Sequence, residues 1–119
     1  MIRRISSGGV FEDKAGYCRA VIAGGFVHVA GTVGEGDTAY DQCRDALGKI
    51  ERALSEAGAD FADVVRVTYM LPDRTEFESC WPLLRETFGP NPPVATMIEC
   101  GLIDPKYRIE IELTALARE

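Results

Sequence analysis

The chain has 119 residues, 46% of them hydrophobic, and a net charge of −6. That is enough for one domain, residues 1–119, with an ordinary core. The acidic balance argues against a nucleic-acid surface, since phosphate contacts need clustered Lys and Arg, and here Arg3-Arg4 is the one adjacent basic pair.

No window approaches the ~20 apolar residues of a membrane helix. The opening stretch MIRRISSGG is polar and predicts no targeting segment. A soluble, cytoplasmic protein without membrane contact is expected.

Ile2 to Ser7 reads as a short edge strand, and Val10 to Gly16 as a polar, Gly-flanked loop. Tyr17–Ala23 and Phe26–Thr32 flank Gly24-Gly25, a hairpin signal because tight two-residue turns need positive φ. Tyr17, Arg19 and Val21 then share a face. Thr32 to Asp37 is a Gly-rich acidic loop without the pattern of a phosphate cradle.

Thr38 to Ala57 predicts a helix. Thr38 can cap it, Gly58 can stop it, and Ala39, Cys43, Ala46, Leu47, Ile50 and Leu54 recur at spacings of three and four. Val64–Leu71 is a strand rich in β-branched residues. Thr75-x-x-Glu78 opens a second helix running to Phe88. Pro82 inside it demands a kink or a late start, since an interior proline costs about 3 kcal/mol. Trp81 reads as core or subunit contact.

Two adjacent strands close the chain: Pro92–Cys100 and Tyr107–Ala115, with a turn at Gly101–Pro105. In the second, Ile109, Ile111, Leu113 and Ala115 alternate with Arg108, Glu110, Glu112 and Thr114, a half-buried pattern. The order β-β-β-α-β-α-β-β predicts an α+β fold with two helices on one face of the sheet. The other face needs a cover, and oligomerisation supplies one.

Cys18, Cys43, Cys80 and Cys100 lack metal-ligand spacing and the one histidine, His28, has no cysteine nearby. No metal site is expected, and the thiols read as reduced, small apolar residues.

The chain resembles the Rid family (RidA/YjgF-like reactive-intermediate deaminases) along nearly its whole length. The resemblance is carried by Gly16-Tyr17-x-x-Ala20-Val21, Val29-Ala30-Gly31-Thr32, Glu56-Ala57-Gly58-Ala59, Asp63-Val64-Val65-Arg66-Val67-Thr68, Pro93 leading into Thr96, and Ile109-Glu110-Ile111-Glu112. It implies a chorismate-mutase-like fold: a six-stranded mixed sheet with two helices on one face, assembled as a homotrimer around a central barrel with pockets between subunits. It also implies hydrolysis of enamines or imines, of the 2-iminobutanoate/2-iminopropanoate type, without metal or organic cofactor.

The family's catalytic glutamate falls on Glu110 and its substrate-contacting tyrosine on Tyr17. Backbone groups at Gly31 and Thr32, and Thr96 beside Ala95, are further candidate ligand contacts, although Gly31 has the plainer reading of a strand end that needs no side chain. The family's carboxylate-binding arginine falls on Ala95, whose methyl group cannot make a two-pronged ionic contact. The expected substrate is therefore an imine other than 2-aminoacrylate, and Arg19 is the candidate replacement anchor. Each residue also has a plainer reading: Glu110 as a sheet-face acid, Tyr17 as strand packing, Arg19 as a solvated cation, His28 as a structural histidine. A non-catalytic metabolite-binding or regulatory trimer is the alternative function. An endoribonuclease or translation inhibitor, another label of the family, is a third.

Overall fold

The computed structural model describes residues 1–118. It is a slab, 40 × 37 × 19 Å, thin because it has two layers. The strands are β1 (Arg3–Ile5), β2 (Ala20–Ala23), β3 (Phe26–Val33), β4 (Val64–Leu71), β5 (Val94–Glu99) and β6 (Glu110–Leu116). The helices are α1 (Val10–Ala15), α2 (Ala39–Glu56) and α3 (Trp81–Phe88). Short 3-10 segments precede β4 and α3. One six-stranded mixed sheet has the order β1-β2-β3-β6-β4-β5, in which only β4 and β5 run parallel.

The hairpin forms as expected: Ala23 pairs with Phe26 across Gly24 and Gly25, both at positive φ. Thr38 caps α2 by accepting from the Asp41 amide at 3.1 Å. Its apolar stripe packs on the sheet, burying Cys43, Ala46, Leu47, Ile50 and Leu54 against Val27, Val29, Ile111 and Leu113. The α3 helix starts late, at Trp81, with Pro82 in its first turn, where the missing N–H costs no hydrogen bond. Trp81 is exposed and meets Phe77 edge-on.

Two expectations about the elements and their order are overturned here, and a third, for Tyr17, at the site. Residues 10–15 form a helix, not a loop. Glu12 makes it so: its buried carboxylate accepts from the amides of Ser7 and Gly9 and from the hydroxyls of Ser6 and Ser7. The closing strands, moreover, are not neighbours. Strand β5 takes the outer edge of β4, and β6 crosses back to insert between β3 and β4. The Gly101–Pro105 segment is thus part of a crossover, not a hairpin turn.

That crossover is held by Gln42, a side chain only 3% exposed. Its Nε2 donates to the carbonyls of Gly36 (3.0 Å) and Lys106 (2.9 Å), and its Oε1 accepts from the Arg108 amide (2.7 Å). Gln42 therefore sets where β6 begins. The near-isosteric Gln42→Leu would strand those three backbone groups. We expect a loss of about 1–3 kcal/mol in denaturant unfolding; an unchanged midpoint would show the crossover is held by something else.

The sheet face opposite α2 is lined largely by exposed side chains. Phe26, Val94, Ile98 and Leu116 are exposed apolar residues on it, beside Glu112, His28 and Arg66.

Candidate functional site

At the β1–β3 end of the sheet lies a cavity of about 960 Å³. Its walls come from the β1–α1 segment, the residues leading into β2, the end of β3, one side of α2, the crossover and the first residue of β6.

The cavity's centre is a break in the β3–β6 ladder. Val29 pairs with Leu113, but Thr32 pairs with Ile111, so β3 carries one extra residue there. Such a bulge bends the strand and re-aims its groups. Two of its carbonyls are met by side chains. Thr32, 2% exposed, donates its hydroxyl to the Ala30 carbonyl at 2.8 Å. Arg19 Nη1 donates to the Gly31 carbonyl (3.0 Å) and to Thr32 Oγ1 (2.8 Å). Arg19 is itself fixed in the backbone, its amide donating to Ile5 and its carbonyl accepting from Ala30, both at 2.9 Å.

Glu110 opens β6 opposite Val33 and Met70. Its carboxylate lies over Gly31. A Cβ built on Gly31 would run into Glu110 Oε2 and sit 3.1 Å from its Cδ. Gly31 is bare because the acid occupies the space a side chain would need; it is not at a strand end. Burial, and then the like charge of Glu112, push the Glu110 carboxyl above its ordinary value, and Arg19 pulls only partly the other way.

Tyr17 reaches the cavity by a route other than the one expected. It is not in β2, which starts at Ala20. It hangs from the end of α1, where the Glu12 carbonyl accepts from the amides of Gly16 and Tyr17, both at 3.0 Å. The Arg19 guanidinium lies 5.8 Å from the Tyr17 ring centre, a cation–π contact. Burial opposes ionisation of Glu12, but its hydrogen bonds from Ser7, Ser6 and the Gly9 amide outweigh it and hold the acid below its ordinary value.

Tyr17, Arg19, Gly31, Thr32 and Glu110 thus meet in one cavity. Ala95 and Thr96 do not line it. They lie on β5, two strands from β6, beside Val67 and Thr68, and both are exposed. His28 stacks loosely on Phe26 on the open face, with ring centres 6.2 Å apart. Glu99 accepts from the Arg74 amide at 2.9 Å, a structural cap. All four cysteines are free. Cys43 and Cys80 are buried in the core, and a hydrogen bond with Cys80 together with burial pushes the Cys43 thiol up, so it stays protonated. Among the described residues no cluster of three or more His, Cys, Asp or Glu has metal-binding geometry, and no helix is long and apolar enough to cross a membrane.

The sequence reading missed Ile103 and Tyr107 from the crossover, Phe11 from α1, and Lys49 and Arg52 from α2. Gln42 was missed too, although its position was readable. It stands three residues after Ala39 and four before Ala46, a polar residue on the buried stripe.

Residues 10–117 match the protein family described as Endoribonuclease L-PSP. A crystal structure of Rv2704 from Mycobacterium tuberculosis, a member of the YjgF/YER057c/UK114 family, superposes with a TM-score of 0.95 at 42% identity, covering 98% of this chain and 100% of that one. The chain belongs to the YjgF/L-PSP (Rid) family. Among curated relatives of this family member, an uncharacterized protein of Streptomyces coelicolor, SCO2049, is 32% identical over 96% of this chain and 91% of its own. The human 2-iminobutanoate/2-iminopropanoate deaminase is 27% identical over 98% of this chain and 91% of its own.

The raised carboxyl carries a stability consequence. A folded-state value above the unfolded one means that ionised Glu110 destabilises the fold, and the cost is present at pH values above the folded one. Glu110→Gln should therefore melt at or above the wild-type temperature at pH 7, with the difference vanishing as the pH falls through the ordinary carboxyl value of 4.5. A lower melting temperature at pH 7 would contradict the burial assigned to this acid.

Proposed function

We propose that this protein hydrolyses small reactive imines or enamines, with Glu110 directing the attacking water. The observation that carries the reading is the Glu110 carboxylate: half-buried, raised in basicity, and held over bare Gly31 within one cavity with Tyr17 and Arg19. The name of the human relative supports it.

Imine hydrolysis demands little machinery. The C=N carbon is already electrophilic, and a cavity must hold it, place a water against it and take up a proton. Glu110 accepts a proton from the water as its oxygen bonds to the carbon. For the imine in its protonated form, that proton passes from Glu110 to the nitrogen of the resulting carbinolamine, and the C–N bond breaks as the hydroxyl hands its proton to Glu110, releasing a carbonyl compound and ammonia. One water is consumed, and no oxidant, metal or organic cofactor is needed. A carboxyl raised by burial and a like charge is a better proton acceptor than an ordinary one. The Tyr17 ring and hydroxyl form one wall against the bound imine.

The open sheet face fits burial against further copies of the chain, in a homotrimer whose cavities lie between subunits. Exposed Thr96, on the open face with Val94 and Ile98, would then line the cavity of the next copy, whereas Ala95, paired with buried Val67, points to the helix side. The alternative of RNA cleavage, suggested by the family's name, finds little support in this chain: it is acidic, and its histidine stands outside the cavity.

The test generates 2-imino acids with an amino-acid oxidase, traps them with semicarbazide and measures the loss of trapped imine on adding the protein. Wild type should accelerate 2-oxo acid release, and Glu110→Gln should lose at least ~10²-fold of that acceleration. Gly31→Ala, which pushes the carboxylate aside, should lose a comparable amount. The acid limb of the pH profile should lie above the ordinary carboxylate range and move to lower pH in Glu112→Gln, which removes the like charge. Acceleration that persists in Glu110→Gln would sink the assignment. RNA cleavage abolished by the same substitution would replace it.

A further inference from the structure

We propose that Arg19 is the anion anchor of this cavity: the free Nη2–Nε edge of its guanidinium takes the ligand's carboxylate in a two-pronged contact, in place of any side chain on β5. The chemistry that follows binding rests on the imine-hydrolase reading; the anchor itself does not.

Three cations line the cavity: Arg19, Lys49 and Arg52. They differ in how far they are committed. Lys49 donates to the Val33 carbonyl at 2.9 Å and pairs with Asp45 at 3.6 Å. Arg52 is exposed on the outer face of α2, where water competes for it. Arg19 is half-buried and aimed. Its Nη1 is taken by Gly31 and Thr32, and Thr32 is locked in turn by Ala30. Its backbone is clamped between β1 and β3, and the Tyr17 ring lies beside the guanidinium.

Among the described residues nothing accepts from the remaining donors. Among the described residues no carboxylate forms an ion pair with Arg19, in a chain with 19 acidic residues. Glu110 feels its charge, yet the two do not pair. A half-buried guanidinium with one edge fixed and the other free is a preorganised fork for a planar carboxylate, because the ordering cost of the side chain is met before the ligand arrives. A carboxylate held there also sets an imine carbon bonded to it near the Glu110 side of the cavity. On β5, by contrast, Ala95 offers a methyl group and Thr96 a hydroxyl, and neither supplies charge.

The test measures binding of 2-oxobutanoate, with butanone as the uncharged control, by calorimetry on wild type, Arg19→Gln and Arg19→Lys. Each variant is first checked for an unchanged melting temperature. Wild type should prefer 2-oxobutanoate to butanone. Arg19→Gln should weaken 2-oxobutanoate by about 10- to 100-fold and leave butanone unchanged. Arg19→Lys keeps the charge but not the fork and should fall between; it also decides the matter if the glutamine variant does not fold. Equal affinity for 2-oxobutanoate in wild type and either variant overturns the proposal, as does a wild type that fails to tell the two ligands apart. Binding that depends on Arg19 without any imine turnover keeps the anchor and removes the deaminase reading. Turnover of 2-imino acids unaffected by Arg19→Gln does the reverse.

Discussion

One extra residue in β3 governs the site. Between Val29 and Thr32 the ladder with β6 slips by a residue. A regular strand would aim its carbonyls at its neighbours and put side chains where the cavity is. The bulge instead presents the Ala30 and Gly31 carbonyls to the Thr32 hydroxyl and to Arg19, and it leaves open space above Gly31. Into that space comes the Glu110 carboxylate from β6. A cation and an acid are thereby fixed close to each other by separate supports, without pairing. If they paired, each would satisfy the other and neither would be available to a ligand.

The supports lie outside the cavity, and each is a buried polar residue. Gln42 fixes the crossover that delivers Tyr107 and the start of β6. Glu12 folds the segment that delivers Phe11 and Tyr17, by accepting from two amides and two hydroxyls. Both act through backbone contacts at element ends, so each moves a wall of the cavity as a unit. Among the described residues Glu110 has no comparable set of donors. Its half-burial and the charge of Glu112 keep its ionised form at a disadvantage, a local instability that a functional acid carries and a structural one avoids.

Much of the fold was legible because its signals are local. Gly24-Gly25 marks its hairpin whatever lies around it, the α2 stripe repeats over five turns, and β4 begins and ends where its β-branched run does. Pro82 foretold a late helix start. The pairing of the last two strands was not legible. Alternation in residues 107–115 tells which face of β6 is buried, but not which strands flank it, since any neighbours that cover the same face satisfy the same pattern. The α1 helix was lost for a related reason: it is held by a carboxylate reaching back to Ser7 and Gly9, not by an apolar stripe. Glu110 and Tyr17 were found through the family resemblance. Arg19 followed from spacing along a strand that in fact starts one residue later, and it is the clamp between β1 and β3 that makes the inference hold.

Everything turns on Glu110 being a half-buried, ionisable group beside Arg19, and that can be read directly. Carbon-13 labelling of glutamate side chains lets the Glu110 carboxyl be followed through a pH titration, with the Glu110→Gln protein identifying its signal. The expected midpoint lies above the ordinary 4.5 and rises further when 2-oxobutanoate brings a second negative charge into the cavity. A midpoint at or below the ordinary value, indifferent to the oxo acid, would mean that this carboxylate stands in open water and that no ligand binds beside it.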